Sequence, residues 1–117
     1  MKNEALKNRT KQFAHRCVKL ALELPRDQLG KHIAGQLIRC STSVAANYRA
    51  SCIAQSKASF ISKLSIVLEE ADESSFWLEF IIDEKMKQTN LVAPLLNEAK
   101  ELTAIFYASR KTAKKRN

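Results

Sequence analysis

Apolar residues recur along the chain at intervals of three and four, the spacing that puts side chains on one face of an α-helix. In the first segment the repeat consists of Leu6, Phe13, Cys17, Leu20 and Leu24. It stops at Pro25, which cannot continue a helix, and Asp27 is a candidate N-cap for the next one. The pattern therefore predicts a first helix over residues 3–23.

The same spacing predicts a second helix over residues 28–54 and a third over residues 56–87. Gly30 and Gly35 weaken the first half of the second helix, and Ser56 is a candidate N-cap for the third. The third helix carries a second apolar set: Ile61, Leu68, Phe76, Trp77, Phe80 and Ile82. A helix with so wide an apolar surface either lies centrally or meets another subunit.

A fourth helix is predicted over residues 91–111, followed by a basic tail at residues 112–117. Asn90 is its candidate cap, and Pro94 is tolerable because it would lie in the first turn. Its stripe is formed by Leu95, Ala99, Leu102 and Phe106, with Leu91, Ile105 and Tyr107 beside it. Four helices with short connections predict an all-α fold, an antiparallel up-down-up-down four-helix bundle in a single domain over residues 1–117.

Composition supports this prediction. The chain of 117 residues is long enough for one domain, and it contains only two glycines and two prolines. Strand-rich folds need many turns, and turns draw on these two residue types. A few long helices are therefore favoured over a sheet.

Charge is distributed unevenly along a chain whose net charge is +8. Residues 1–20 carry six basic side chains against Glu4 alone, and residues 110–117 carry five basic side chains and no acid. Residues 61–84 reverse the sign, with Lys63 against seven acids. The basic ends suggest a polyanionic partner. The alternative is that they only keep the chain in solution.

The three cysteines, Cys17, Cys40 and Cys52, lie in predicted helices without C-x-x-C spacing. They are interpreted as buried free thiols in a reducing cytoplasm, without a metal or redox role. The N-terminus is polar, so no secretory signal is expected, and no apolar run approaches the ~20 residues that span a bilayer. We therefore expect a cytoplasmic protein with no membrane partner.

A polar stripe interrupts the second helix, where Arg39, Ser43 and Asn47 are spaced by four and share one face. If the second and third helices are antiparallel and joined near residue 55, facing residues have numbers that sum to about 110. Arg39 then comes near Glu70 and Glu73, whose carboxylates match its planar guanidinium. Ser43 and Asn47 continue the face toward Lys63. We interpret this as a structural polar seam that fixes helix register rather than as an acid/base pair.

The stretch from Gln36 to Ile81 resembles the four-helix-bundle protein family, also described as proteins encoded by intervening sequences of 23S ribosomal RNA genes. The matching residues are Gln36, Arg39, Ser43, Val44, Asn47, Ser56, Lys57, Phe60, Lys63, Glu70, Glu73, Phe76, Trp77 and Leu78. Many members carry Glu where this sequence has Ala50.

The resemblance implies a four-helix bundle that assembles into a homopentameric ring, with no enzymatic activity and no cofactor. A distant relative, similar in fold, is the accessory protein of diversity-generating retroelements. That relative is a basic pentamer that binds a reverse transcriptase and nucleic acid.

These observations favour a non-enzymatic oligomer that binds the backbone of RNA or DNA, or a nucleic-acid enzyme such as a reverse transcriptase, through a basic rim. In an antiparallel bundle the two basic chain ends meet at one end. The candidate binding residues are Lys2, Lys7, Arg9, Lys11, Arg110, Lys111, Lys114, Lys115 and Arg116. The alternative is a scaffolding ring that recruits a protein through the acidic stripe or the apolar face.

A metal enzyme of the ferritin-like type is another function that a four-helix bundle can support. Its metal site needs Glu-x-x-His on two helices. The residues three positions before His15 and His32 are Gln12 and Leu29. We therefore predict no metal ligands, no catalytic residues, no cofactor and no small-molecule substrate.

Overall fold

The computed structural model describes residues 2–116, with the side chain of Lys2 outside the description. These residues form four α-helices and no strand: α1 (Lys2–Leu22), α2 (Gln28–Ser51), α3 (Lys57–Asp83) and α4 (Thr89–Lys115). The all-α prediction is confirmed. The described chain is elongated, with principal extents of 49 × 21 × 20 Å.

The helices pack as a four-helix bundle in which α1 contacts α2 and α4, and α3 contacts the same two helices. The predicted apolar stripes supply the core, because their side chains face inward and most of them are buried, with Leu6 partly buried. Within the core, the rings of Tyr48 and Phe106 lie 5.2 Å apart and link α2 to α4.

The N-caps of α2 and α3 are the predicted ones. The side chain of Asp27 accepts a hydrogen bond of 2.8 Å from the amide of Gly30, and that of Ser56 accepts one of 3.0 Å from the amide of Ser59. Each cap satisfies an amide that has no partner inside its helix. The sequence therefore determines where these two helices begin.

Gly30 has a further role at the start of α2. A Cβ atom on this residue would lie 1.8 Å from the carbonyl oxygen of Pro25. The connection between α1 and α2 thus folds tightly over the first turn of α2, and only glycine leaves room for it. Gly35 differs, since a Cβ atom there would have no neighbour within 4 Å.

Two helices end earlier than predicted. The amides of Cys52, Ile53 and Ala54 each bond to the carbonyl three residues back, which tightens the chain and ends α2 at Ser51. At the end of α3, Lys85 has a φ of 54° and the amide of Met86 bonds to the carbonyl of Ile81. This is a Schellman motif, although it lacks the usual glycine.

The start of α4 also differs from the prediction. The helix begins at Thr89 after an N-cap at Gln88, so Asn90 lies inside the helix rather than capping it. Pro94 is consequently the sixth residue of the helix and not part of its first turn. At its other end α4 continues to Lys115, so most of the predicted basic tail is helical.

Candidate nucleic-acid interface and interhelical polar cluster

One end of the bundle collects residues from all four helices around an open groove. It is lined by Asn3 and Leu6 of α1, Tyr48 and Ser51 of α2, Lys57 and Phe60 of α3, and Ser109, Thr112 and Ala113 of α4, together with Arg116. The start of α1 and the end of α4 therefore line the same groove. We call this end of the bundle the basic end.

The candidate binding residues differ in how far they reach solvent. The exposed ones are Lys11, Lys111, Lys114, Lys115 and Arg116. Lys7 is half-buried and its ammonium lies 3.4 Å from the carboxylate of Glu4. Arg110 is also half-buried, and it donates a 2.7 Å hydrogen bond from Nε to the hydroxyl of Ser65. The side chain of Lys2 lies outside the described residues.

Arg9 contacts carboxylates instead of lying free. Its Nε and Nη2 donate hydrogen bonds of 2.7 and 2.8 Å to the two carboxylate oxygens of Glu98, and Nη2 also donates to Glu101 over 2.8 Å. The hydrogen bonds from Arg9 hold the pKa of Glu98 below its ordinary value. Those carboxylates likewise raise the pKa of Arg9. Arg9 thus ties α1 to α4.

The sequence did not predict the two carboxylate partners of Arg9, nor the place of three further cations at the basic end. Arg49, Lys57 and Lys63 lie at the end of α2 and in the first turns of α3, so the short connection between these helices brings them to the basic end. Within residues 2–11, 49–63 and 107–116 the single acid is Glu4. The position of the connection was the signal that could have identified these cations.

A second groove extends the basic surface between α1 and α2. Its polar lining includes Lys7, Lys11, His15 and Arg49 together with one acid, Glu4, and its floor includes Ala14, Ala45 and Ala46. Small floor residues let a ligand approach the helix backbones closely, and the cations would attract an anionic one.

The polar cluster between α2 and α3 centres on Arg39. Its Nη1 donates hydrogen bonds of 3.3 and 3.2 Å to the carboxylate of Glu70, and its Nη2 donates to Glu73. The side-chain oxygen of Gln36 accepts from Arg39 Nε over 3.2 Å. Glu73 also accepts a 3.0 Å hydrogen bond from the indole Nε1 of Trp77. Two neighbouring carboxylates are therefore balanced by one guanidinium and an indole donor.

The remaining predicted members of this face are arranged differently. Asn47 donates to the hydroxyl of Ser43 over 2.9 Å and to its carbonyl over 3.0 Å, so both stay within α2. Lys63 makes no hydrogen bond or salt bridge to any other residue of the described chain. The local i to i+4 hydrogen bond therefore satisfies the Asn47 amide within α2.

The outward face of α3 is acidic and partly apolar. Phe76 is 51% exposed, and its ring lies 4.9 Å from that of Trp77 and 6.0 Å from that of Phe80. Exposed acids surround it at positions that share its face: Glu69, Asp72, Glu79 and Asp83. We call this set the acidic face.

The cysteines are free thiols. Cys17 and Cys40 are buried, as predicted, whereas Cys52 is half-buried. Burial raises the pKa of Cys40 to about 11, and it raises that of Cys17 further. Such thiols are protonated and unreactive near neutral pH.

Residues 2–116 contain no group of three or more His, Cys, Asp or Glu side chains that could hold a metal ion. Over the same residues, no helix is long and apolar enough to cross a bilayer.

Comparison with known proteins agrees with this architecture. The sequence model of the family described as 23S rRNA-intervening sequence protein matches residues 2–108. The crystal structure of a protein of unknown function from the S23 ribosomal protein family of Bacteroides thetaiotaomicron is similar, with 33% identity and a TM-score of 0.85. That similarity covers 95% of this chain and 99% of that one. No curated protein matches the sequence. Because the family model spans nearly all of the chain, this protein belongs to the 23S rRNA-intervening sequence protein family.

Proposed function

We propose that this chain is a non-enzymatic helical-bundle protein that binds the phosphate backbone of RNA or DNA through its basic end. The alternative ligand of the same basic end is a nucleic-acid enzyme such as a reverse transcriptase. The observation that carries the proposal is the segregation of charge. The basic end holds a single acid, whereas the acids of α3 and α4 lie between residues 69 and 101. Clustered cations bind phosphates without reading bases.

The proposal includes an up-down-up-down arrangement of the helices. His32 lies 5.7 Å from Trp77 between ring centroids, and the hydroxyl of Ser74 donates a hydrogen bond to Sγ of Cys40, as expected if α2 and α3 run in opposite directions. Lys100 lies by Glu79 and Arg110 by Ser65, as expected if α3 and α4 do the same. Such an arrangement would bring the cations of α1, α4 and the α2–α3 connection together.

Self-assembly, with five subunits expected from the family resemblance, is part of the proposal. The exposed ring of Phe76 on the acidic face supports it, because such surfaces are covered in oligomers. Light scattering should give five subunits, and Phe76→Ser should lower the count. Leu22→Ser is the matched control at an exposed leucine of α1. A monomeric wild type would refute the assembly but leave nucleic-acid binding open.

The proposed compartment is the cytoplasm. Cys17 and Cys40 are free and buried, which suits a reducing environment.

Two charge-matched variants test the binding proposal. The basic-end variant replaces Lys111, Lys114 and Lys115 by Gln. The control variant replaces Lys19, Arg26 and Lys31 by Gln. These three residues are exposed near the α1–α2 connection. Fluorescence anisotropy with labelled RNA and DNA at low salt should show at least about tenfold weaker binding for the basic-end variant only. Equal affinities for both variants, or no binding by the wild type, would refute the proposal.

A second candidate function is recruitment of a protein by the assembled ring. The acids of the acidic face favour it, since exposed carboxylates on one face of a helix suit a basic segment of a partner. A pull-down from lysate with and without nuclease discriminates between the two functions. A partner that survives nuclease, and that is lost when Asp72 and Asp83 are replaced by Asn in a variant that keeps the wild-type subunit count, supports protein recruitment. A partner released by nuclease counts against it.

A further inference from the structure

Tyr107 is an exposed aromatic residue in the basic part of α4. Its side chain is 58% exposed, whereas the preceding Phe106 is fully buried. The sequence placed Tyr107 at the edge of the core stripe. The structure puts its ring in solvent instead, and within residues 2–116 its hydroxyl makes no hydrogen bond to another protein group. The Tyr107 ring is therefore not part of the hydrophobic core.

Lysines share the helix face of Tyr107. Lys111 and Lys114 follow it by four and seven positions, which places them on the same side of α4. Both are exposed and neither lies within salt-bridge distance of a carboxylate in the described chain. Along the helix axis they lie roughly 6 and 10 Å from Tyr107. No acid follows Glu101 in the sequence. An aromatic platform is thus joined to two free cations.

Lys100 marks the other limit of this face. It precedes Tyr107 by seven positions, and its ammonium lies 3.8 Å from the carboxylate of Glu79 on the acidic face. The acids of α3 begin at Glu69, so phosphates would be repelled on that side. A bound strand is therefore expected to run from Tyr107 toward Lys114 and the basic end.

We propose that Tyr107 stacks on a base of a single-stranded nucleic acid while Lys111 and Lys114 hold its phosphates. The inference rests on the proposed function. It narrows the ligand from nucleic acid in general to single strands. Stacking needs an unpaired base, because the bases of a duplex already stack on one another, whereas the cations bind phosphates of either form. Every base has a π face, so both RNA and DNA strands fit.

The test compares Tyr107→Ala with Tyr107→Phe, which keeps the ring. Anisotropy is measured with a single-stranded RNA, a single-stranded DNA and a duplex of the same length. Tyr107→Ala should bind both single strands about 5- to 150-fold more weakly. Its duplex affinity and its salt dependence should match those of the wild type. Tyr107→Phe should bind as the wild type does.

Three results would overturn the inference: unchanged binding by Tyr107→Ala, an equal loss for the duplex, or a loss confined to one sugar type. A lower subunit count for Tyr107→Ala would also overturn it and assign the ring to a subunit contact. If wild-type binding stays salt-dependent while Tyr107→Ala changes nothing, the stacking inference fails alone. If the wild type does not bind, the proposed function fails with it.

Discussion

Arg9 and Glu98 are joined by two parallel hydrogen bonds of 2.7 and 2.8 Å, although 89 positions separate them along the chain. The geometry is the bidentate fork that guanidinium and carboxylate groups favour. The charge pattern makes Arg9 a candidate phosphate ligand. Its hydrogen bonds to Glu98 also join α1 to α4, so Arg9 is expected to contribute to the stability of the fold.

Replacing Arg9 by Ala should reduce the free energy of unfolding by about 1–2 kcal/mol, because the carboxylate of Glu98 is left half-buried without its donor. Urea denaturation followed by circular dichroism measures the loss. Arg9→Lys keeps the charge but not the fork, so it should recover only part of it. Lys11→Ala, at an exposed neighbour, is the control and should stay within about 0.5 kcal/mol of wild type. Identical midpoints for Arg9→Ala and Lys11→Ala would refute the tie.

The same pair predicts a dependence of stability on pH. The pKa of Glu98 is lower in the fold than in the unfolded chain, so the unfolded state binds more protons in acid. The stabilisation is full above the unfolded value of about 4.3 and is lost as pH falls through the folded value. The stability difference between wild type and Glu98→Gln should therefore be largest near neutral pH and shrink below about pH 4. Urea midpoints over this range test it, and a difference that does not change with pH would contradict the assignment.

The two glycines of α2 should respond to alanine in opposite directions. Gly30→Ala places a methyl group 1.8 Å from the backbone oxygen of Pro25, so the connection must shift, at a cost of about 3 kcal/mol. Gly35→Ala meets no neighbour within 4 Å and should stabilise by about 0.5–1 kcal/mol through helix propensity. Thermal unfolding of both variants measures these effects. Equal shifts of the two melting temperatures would show that the close approach at Pro25 is not maintained.

Arg39→Ala should destabilise the bundle by about 1–2 kcal/mol, since Glu70 and Glu73 would face each other without a cation. This loss of unfolding free energy is modest because the Arg39 side chain is 48% exposed and solvent screens its charge. Trp77, the only tryptophan, donates to Glu73, so its fluorescence emission should change as well. Arg49→Ala on the same helix is the control. If Arg39→Ala unfolds like the wild type and its emission is unchanged, the polar cluster does not stabilise the bundle.

The apolar repeat was sufficient to predict four helices and two of their caps, because helix period and capping depend on near neighbours in sequence. The ends of α2 and α3 were not predictable in this way. Lys85 has a left-handed backbone conformation, but no glycine at this position indicates the end of the helix. The amide of Met86 bonds to the carbonyl of Ile81, and the Met86 side chain packs against the core. Tertiary packing here overrides the local pattern.

The candidate site was predictable in its charge and not in its pairing. The basic segments are visible in the sequence, but the partners of Arg9 lie on another helix and are identified only once α1 and α4 are aligned. The exposure of Tyr107 was missed for a similar reason. Its neighbours Ile105 and Phe106 suggest a core position, and only the rotation of α4 decides which of the adjacent rings is buried.

The salt dependence of RNA and DNA binding shows whether the basic end binds phosphates. For wild type, the logarithm of the binding constant should fall linearly with the logarithm of salt concentration. Because each phosphate contact contributes roughly 0.7–0.9 to the slope, the basic-end variant should lower its magnitude by about 2–3, while the control variant of equal charge keeps the wild-type slope. Slopes that coincide for the two variants, or a wild-type affinity that does not respond to salt, would contradict the account.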